Sequence, residues 1–414
     1  MIYEKPSSVQ LKKYADLVIE VGVNLQNDQE LVIKADVHDA FFCHILAKSA
    51  YEHGCKKVSM IWSDEFLSHL RMQNETQETI CQIEDFVVAQ RNYALDKNAA
   101  YIGIISQDPE LLNDIPSDYL ANYSKANSLA FAHFYDEIGK NGIRWNLIAI
   151  PSLNWAKKIS PDLSDEQAIN KLWYLIFKAM RLDCENPSAE WKKHQQNLKN
   201  RSEILNSYQF TELHYKNSLG TDLHVGLPQN YIFQGCGEEA MDGVVFTANM
   251  PSEEIFSAPH KERVNGKVVA SLPLFYNCTK IENFGFEFEN GKVVNFWAQT
   301  GYDVLKNLLK TDNGSSFLGE VALVQYDSPI RNLETLFYET LFDENASCHL
   351  ALGDAYPSCV QNGTEMTKEE LAKCGLNSSI EHVDFMIGTQ DLDIDGIKAD
   401  GSVVPVFRAG KFCF

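Results

Sequence analysis

Residues 101–105 read Tyr-Ile-Gly-Ile-Ile, and residues 147–150 read Leu-Ile-Ala-Ile. Both are short, wholly apolar runs, the pattern of strands buried on both faces of a sheet. Toward the N-terminus, Leu31-Val32-Ile33 and the alternating Val58, Met60 and Trp62 supply two further strand candidates. Helical stripes lie before and between them. Leu11, Tyr14, Ala15, Val18, Gly22 and Leu25 form one; Phe41, Phe42, Ile45, Leu46 and Ala50 form another, with Gly54 placed as its C-terminal stop. Apolar strands alternating with amphipathic helices predict an α/β domain.

From about 160 to 206 the pattern is purely helical. Ala168, Ile169, Leu172, Trp173, Ile176, Phe177 and Met180 share one stripe, Pro187 interrupts it, and a polar helix follows over about Glu190–Leu205. Beyond Gln209 the period shortens to two. Thr211, Leu213 and Tyr215 alternate with polar residues, and Ser218-Leu219-Gly220-Thr221 turns into Leu223-His224-Val225. Asn265-Gly266 and Asn290-Gly291 each sit between strand-like runs, and Asn-Gly in that setting predicts a two-residue hairpin. Helices are expected near 301–310 and 367–374, the second opening with Thr367 and Glu370 in capping-box spacing. The expected organisation is an N-terminal α/β domain over 1–190 and a C-terminal α+β domain, rich in antiparallel strands, over 191–414.

The 414 residues carry 57 acidic and 36 basic side chains, a formal charge of -21. That field repels nucleic acid, and the densest basic stretch, Lys192, Lys193, Lys199 and Arg201, has the spacing of a solvated helix face. Ten cysteines are scattered from Cys43 to Cys413 without a Cys-x-x-Cys pair, which removes zinc-ribbon and thioredoxin-like readings. No apolar segment follows the first residues, and none approaches the ~18 residues of a spanning helix. A cytoplasmic protein with reduced thiols and no membrane or nucleic-acid partner is expected.

Four segments carry residues suited to chemistry. In His382-Val383-Asp384, strand alternation would point the imidazole and the carboxylate the same way, a pair that suits a borderline divalent ion. His349 follows Glu344 by five residues, a spacing that no single helix face aligns, so an irregular turn ahead of a strand is required. Tyr356, seven residues further on, is a phenolic donor candidate. Glu320 heads the apolar run Val321-Ala322-Leu323-Val324, and a carboxylate entering a core requires a cation or strong donors. Glu253-Glu254 follows a proline turn. Taken singly, each has an ordinary reading: a surface pair, a hydrogen-bonded core histidine, a salt-bridged acid, a solvated loop. Asp391-Leu392-Asp393-Ile394-Asp395-Gly396 imitates an EF-hand opening, but its twelfth position is Ser402, so an Asp-Gly turn is the better reading.

Together these segments resemble one family. Asn-x-Pro-Ser-Glu-Glu-Ile-Phe-Ser-Ala-Pro-His (249–260), Gly-Glu-Val-Ala-Leu (319–323), Asp-Glu-Asn-Ala-x-x-His-Leu-Ala-x-Gly (343–353) and His-x-Asp (382–384) are similar to the M29 leucyl aminopeptidases. Lys13-Tyr14-Ala15-Asp16-Leu17-Val18 and Leu219-Gly220-Thr221-Asp222-Leu223 extend the likeness over nearly the whole chain, while Phe412-Cys413-Phe414 is idiosyncratic. The resemblance implies a C-terminal metal-binding domain with ligands at Glu254, Glu320, Glu344, His349, His382 and Asp384. It makes Glu320 the residue bridging two metals and Tyr356 the active-site tyrosine, and its intervals select Glu254 over Glu253. Glu253, beside a ligand, is then a candidate general base. The implied cofactors are two divalent ions, zinc or cobalt, with manganese or magnesium as alternatives. The implied partners are peptide substrates and a second copy in a homodimer. Two other readings stay open: a non-catalytic peptide- or metal-binding protein on the same scaffold, and a different dinuclear hydrolase such as an amidase or phosphodiesterase.

Overall fold

The four strand candidates of the N-terminal half form one parallel sheet. In the computed structural model, which describes residues 2–276 and 279–414, they are β1 (Glu30–Asp36), β2 (Lys57–Ser63), β3 (Ala100–Ile105) and β4 (Trp145–Ala149), in the order β2-β1-β3-β4. Ala100 through Ile104 are all buried, so both parities of the strand are covered. Val32 and its register partner Tyr101 pack with Ala94 and Phe134 from the helices Asp85–Asp96 and Ala132–Gly139. Ring contacts among Tyr14, Phe42, Trp173 and Phe177 join the helices Ser8–Leu17, Ala40–Glu52 and Asp165–Ala179.

The chain divides into two units. One holds Met1–Gln196, Cys236–Ser252 and Thr335–Leu341; the other holds Asn197–Gly235, Glu253–Glu334 and Phe342–Phe414. Cys236–Ser252 returns to the first unit beside β4, where the Leu147 N–H donates to the Ala248 carbonyl and the Asn146 side chain donates to Thr247. The polar helix starts at Pro187, whose missing N–H costs nothing at a first helical position, and runs to Tyr208. No described helix is long and apolar enough to cross a membrane.

The second unit is built on two antiparallel sheets. The strands of these two sheets, in chain order, are β5 (Glu212–Lys216), β6 (Asp222–Gly226), β7 (Gln234–Gly235), β8 (Ile255–Ser257), β9 (Val264–Val269), β10 (Gly285–Glu289), β11 (Lys292–Trp297), β12 (Leu318–Leu323), β13 (His349–Gly353), β14 (His382–Met386), β15 (Asp393–Ile397), β16 (Val403–Arg408) and β17 (Lys411–Phe412). A five-stranded sheet runs β14-β13-β12-β8-β7, and an eight-stranded sheet runs β11-β10-β9-β6-β5-β15-β16-β17. Phe385 of β14 joins them, with ring centroids 5.0 Å from Phe286 of β10 and 6.2 Å from Phe284. Val383 and Phe385 thus turn to the core, leaving His382 and Asp384 on the opposite face of β14.

The expected helices form at Tyr302–Leu308 and Lys368–Lys373, the latter with both hydrogen bonds of the Thr367–Glu370 capping box. The acidic EF-hand look-alike is strand β15 and the turn before it, where Asp391 accepts from the Ser218 N–H and the Thr389 hydroxyl. One hairpin expectation fails. Asn265-Gly266 is not a turn but the interior of β9, paired with β6 on one side and β10 on the other. Gly266 is needed there because its φ is +116° and a Cβ would lie 2.3 Å from the Asp222 carbonyl.

Asn290-Gly291 does turn the β10–β11 hairpin, with φ of 49° and 83°, the paired positive values of a type I′ turn. A Cβ on Gly291 would meet the Lys261 carbonyl oxygen at 1.7 Å. Gly291→Ala is therefore expected to cost about 1–3 kcal/mol and lower the melting temperature by several degrees, whereas Asn290→Gly should be tolerated. An unchanged melting temperature for Gly291→Ala would contradict this turn geometry.

Candidate metal centre

Strand alternation places the acids and histidines on one face of the five-stranded sheet. Glu320 in β12 is the register partner of Ala351 in β13, and Ala351 is the partner of Asp384 in β14. His349 lies two residues before Ala351, and His382 lies opposite Gly353, two residues after it. Glu254 immediately precedes β8, whose Phe256 pairs with Ala322, two residues from Glu320. Side chains two apart or directly paired point the same way. The small Ala351 leaves the middle of the row open between Glu320 and Asp384. Glu344 arrives differently, from the 3-10 turn Glu344–Ala346 just ahead of β13. That turn reconciles the five-residue spacing with a shared destination.

The resulting cluster is buried and tight. Three overlapping groups, Glu254/Glu320/His349, Glu320/His382/Asp384 and Glu344/His349/Asp384, each have a donor atom from every member within 4.8 Å of the others. The two oxygens of Glu320 part company: Oε1 lies 3.7 Å from His349 Nε2, and Oε2 lies 3.3 Å from His382 Nε2. Asp384 Oδ1 is 3.9 Å from His349 Nε2 and 3.5 Å from His382 Nε2. Both imidazoles are anchored on the other side of the ring, His349 Nδ1 at 2.9 Å from the Ser347 carbonyl and His382 Nδ1 at 2.8 Å from the Asp354 carbonyl. A carbonyl only accepts, so each Nδ1 carries the proton and each Nε2 turns a lone pair to the cluster once neutral.

Glu254 shows what the cluster lacks. Its Oε2 is 3.0 Å from His349 Nε2, yet that oxygen is buried and no aligned hydrogen bond satisfies it. Two acceptors facing each other at that distance need a positive charge between them. The ionisation pattern gives the same answer. Burial, then Asp384 and Glu254, pushes Glu344 well above the ordinary carboxylate range, and burial raises Glu254 as well. Burial opposes a charge on His349 and His382, but Glu254, Glu320 and Asp384 around His349, and Tyr356, Asp384 and Glu320 around His382, outweigh it and raise both well above an ordinary imidazole. Burial would also raise Glu320 and Asp384, but the two histidines hold both below the usual range. Protons or metal ions must supply the missing charge. Four carboxylates and two imidazoles without a thiolate fit divalent ions that favour oxygen and nitrogen.

Tyr356 stands at the rim, its ring centroid 4.9 Å from that of His382. His382 draws its phenol down, but burial with Glu320, Asp384 and Glu344 prevails and keeps the hydroxyl protonated. Glu253 is half-buried beside Glu254, its N–H donating to Asn345 Oδ1 at 2.7 Å. Asn345 is fully buried and also donates from Nδ2 to Glu344 Oε1 at 3.3 Å, so it ties the two acidic segments together. Its role was not legible in sequence, and nor were the Ser347 and Asp354 carbonyls, since any residue supplies a carbonyl.

The family model described as "Thermophilic metalloprotease (M29)" matches residues 7–412. The chain is 43% identical over 407 residues to aminopeptidase AmpS of Bacillus subtilis (strain 168), covering 98% of this chain and 99% of that protein. It is 40% identical over 405 residues to aminopeptidase 2 of Geobacillus stearothermophilus, covering 98% of each. The solved structure of wild-type AmpT from Thermus thermophilus matches with a TM-score of 0.91 at 35% identity, covering 98% of this chain and 99% of that one.

The charge pattern predicts how metal-stripped protein responds to pH. His349, His382, Glu254 and Glu344 hold protons more tightly when folded than when unfolded. The stability this confers is complete below their unfolded pKa values and is lost as pH rises through the raised folded ones. Glu320 and Asp384 act oppositely, but only as pH falls below the ordinary carboxylate range, ~4. Stripped protein should therefore lose thermal stability progressively as pH rises from the ordinary carboxylate range, ~4, to and beyond the ordinary imidazole value, ~6.5. Zinc-loaded protein, whose ligands have released their protons to solvent on binding the ion, should not. Melting curves at matched pH check this, and equal pH slopes for the two forms would count against a cation site.

Proposed function

The chain belongs to the M29 family of metalloproteases, and from that premise we propose that it removes N-terminal residues from peptides at a pair of divalent ions. It is a metal-dependent aminopeptidase, a hydrolase of the exopeptidase class. The dinuclear reading is carried by Glu320, whose two oxygens are directed to two different histidines. One ion would be held on the His349 side with Glu254, the other on the His382 side, with Asp384 and Glu344 completing the set. Zinc or cobalt suits these donors best. We place the enzyme in the cytoplasm, acting as a homodimer on peptides.

Bound ions at such a site polarise the scissile carbonyl and supply an activated water. The chain's own groups do the rest. Ser347 and Asp354 orient the two imidazoles through their carbonyls, which keeps each Nε2 directed inward. The Tyr356 hydroxyl, held protonated, donates to the oxyanion as the carbonyl carbon becomes tetrahedral. Glu253, fixed through its backbone on Asn345, is the candidate base that takes the proton of the attacking water. Hydrolysis of aminoacyl-p-nitroanilides, lost on chelation and restored by zinc or cobalt, tests the reading as a whole. Metal binding without turnover would favour a binding protein, and turnover of amides or phosphodiesters alone would favour another dinuclear hydrolase.

Two substitutions test the parts. Glu320→Gln should lose metal and nearly all turnover, while Glu289→Gln, at the end of strand β10, should keep both. Wild-type metal content and turnover in Glu320→Gln would remove the bridging role. Tyr356→Phe should keep metal content and KM and lower kcat by ~10²–10³, the effect of losing one oxyanion donor. If Tyr356 only packs against His382, the melting temperature falls instead and kcat holds.

A further inference from the structure

The outer face of the β5–β6 hairpin, in the eight-stranded sheet, carries a second group of side chains of metal-ligand type. His214 of β5 and His224 of β6 are direct register partners. Their rings stack with centroids 3.8 Å apart and planes 17° apart, within reach of one ion once a ring turns to bring the two in-plane lone pairs together. Leu213, Tyr215, Leu223 and Val225 alternate with them and are fully buried, which fixes the histidines to the solvent side. Asp222, two residues before His224, lies on the same face with Oδ1 2.7 Å from His214 Nε2. One donor atom each from His214, Asp222 and His224 fall within 4.8 Å of one another.

A further contact distinguishes this group from a chance surface cluster. His224 Nδ1 sits 2.6 Å from Glu212 Oε1, so a carboxylate holds the proton on Nδ1 and leaves Nε2 as a lone-pair donor. By the same logic His214 Nε2 and Asp222 Oδ1 share a proton at 2.7 Å, so an ion binding here displaces that proton and takes both atoms together with His224 Nε2. The neighbouring cations do not fill the group. Lys216 Nζ is 3.8 Å from Asp222 Oδ2, the oxygen turned away from His214, and Lys267 lies opposite Asp222 on β9. Asp395, opposite His214 on β15, is engaged by Arg408.

We propose that His214, Asp222 and His224 bind a further divalent ion of borderline softness, of the zinc class, which clips β5 to β6 across the hairpin. Two imidazoles and one carboxylate leave a fourth position for water, and the set disfavours calcium and magnesium, which prefer all-oxygen cages. Because the group is half-open to solvent, its ion exchanges with the medium independently of the buried cluster.

Histidine modification by diethylpyrocarbonate, read by peptide mass mapping on the metal-loaded enzyme, tests this site by site. Zinc is raised beyond the level that saturates peptidase activity. Labelling of both His214 and His224 should fall several-fold, while exposed His133 should label at an unchanged rate. Equilibrium dialysis with elemental analysis should then count one zinc fewer per chain in His214→Gln/His224→Gln, and likewise in Asp222→Asn, with peptidase activity retained. Unchanged labelling of the two histidines at every zinc level would overturn the proposal, whether or not the variants fold. Protection combined with an equal zinc count in a folded double variant would overturn it as well.

Discussion

Four carboxylates gathered in the interior of a protein repel one another, and most of the second unit's construction follows from how that repulsion is met. Glu254, Glu320, Glu344 and Asp384 are each less than a tenth exposed or close to it, with His349 fully buried among them. Two imidazoles cannot neutralise four acids, and the raised proton affinities of both histidines and of Glu344 register the deficit. Divalent cations resolve it, because each ion brings two charges into the space that a proton would fill with one. The orphaned oxygen of Glu254 marks where one of those charges belongs.

Holding such a cluster together without its cations requires a rigid frame, and the two packed sheets provide it. β14 is the clearest case. Phe385 is inserted into the aromatic layer of Phe284 and Phe286, Val383 is buried on the same face of the strand, and this packing fixes the outward pitch of His382 and Asp384. Strands β12 and β13 are buried along their whole length, so Glu320 and His349 have no route to solvent by local rearrangement. The backbone carbonyls of Ser347 and Asp354 then set the ring orientation. Packing therefore determines position, and hydrogen bonding determines which atom faces the cluster.

Much of this is legible in the sequence. The wholly apolar runs around Ile33, Ile102 and Ile148, set between amphipathic helices, point to a sheet covered on both faces, and the register makes it parallel. The period of two at His382-Val383-Asp384 correctly paired the imidazole with the carboxylate. Asn265-Gly266 misled because a local turn signal can equally mark a strand glycine forced by a long-range approach, here of the Asp222 backbone. Glu344 was out of reach of periodicity, since a 3-10 turn followed by a strand has no single period, and only the resemblance of the whole motif brought it in. The returns of 236–252 and 335–341 to the first unit carry no composition signal, being fixed by contacts such as the Asn146 side chain on Thr247.

The central claim is that this buried acid–imidazole cluster exists to hold two cations, with Glu320 between them. Crystals of the zinc-loaded protein measured on both sides of the zinc absorption edge test it directly. The account predicts two anomalous peaks within the cluster, ~3.5–4 Å apart as in two-metal hydrolases, one on the His349 side of the Glu320 carboxylate and one on the His382 side. A single peak, or two peaks without Glu320 between them, would contradict it.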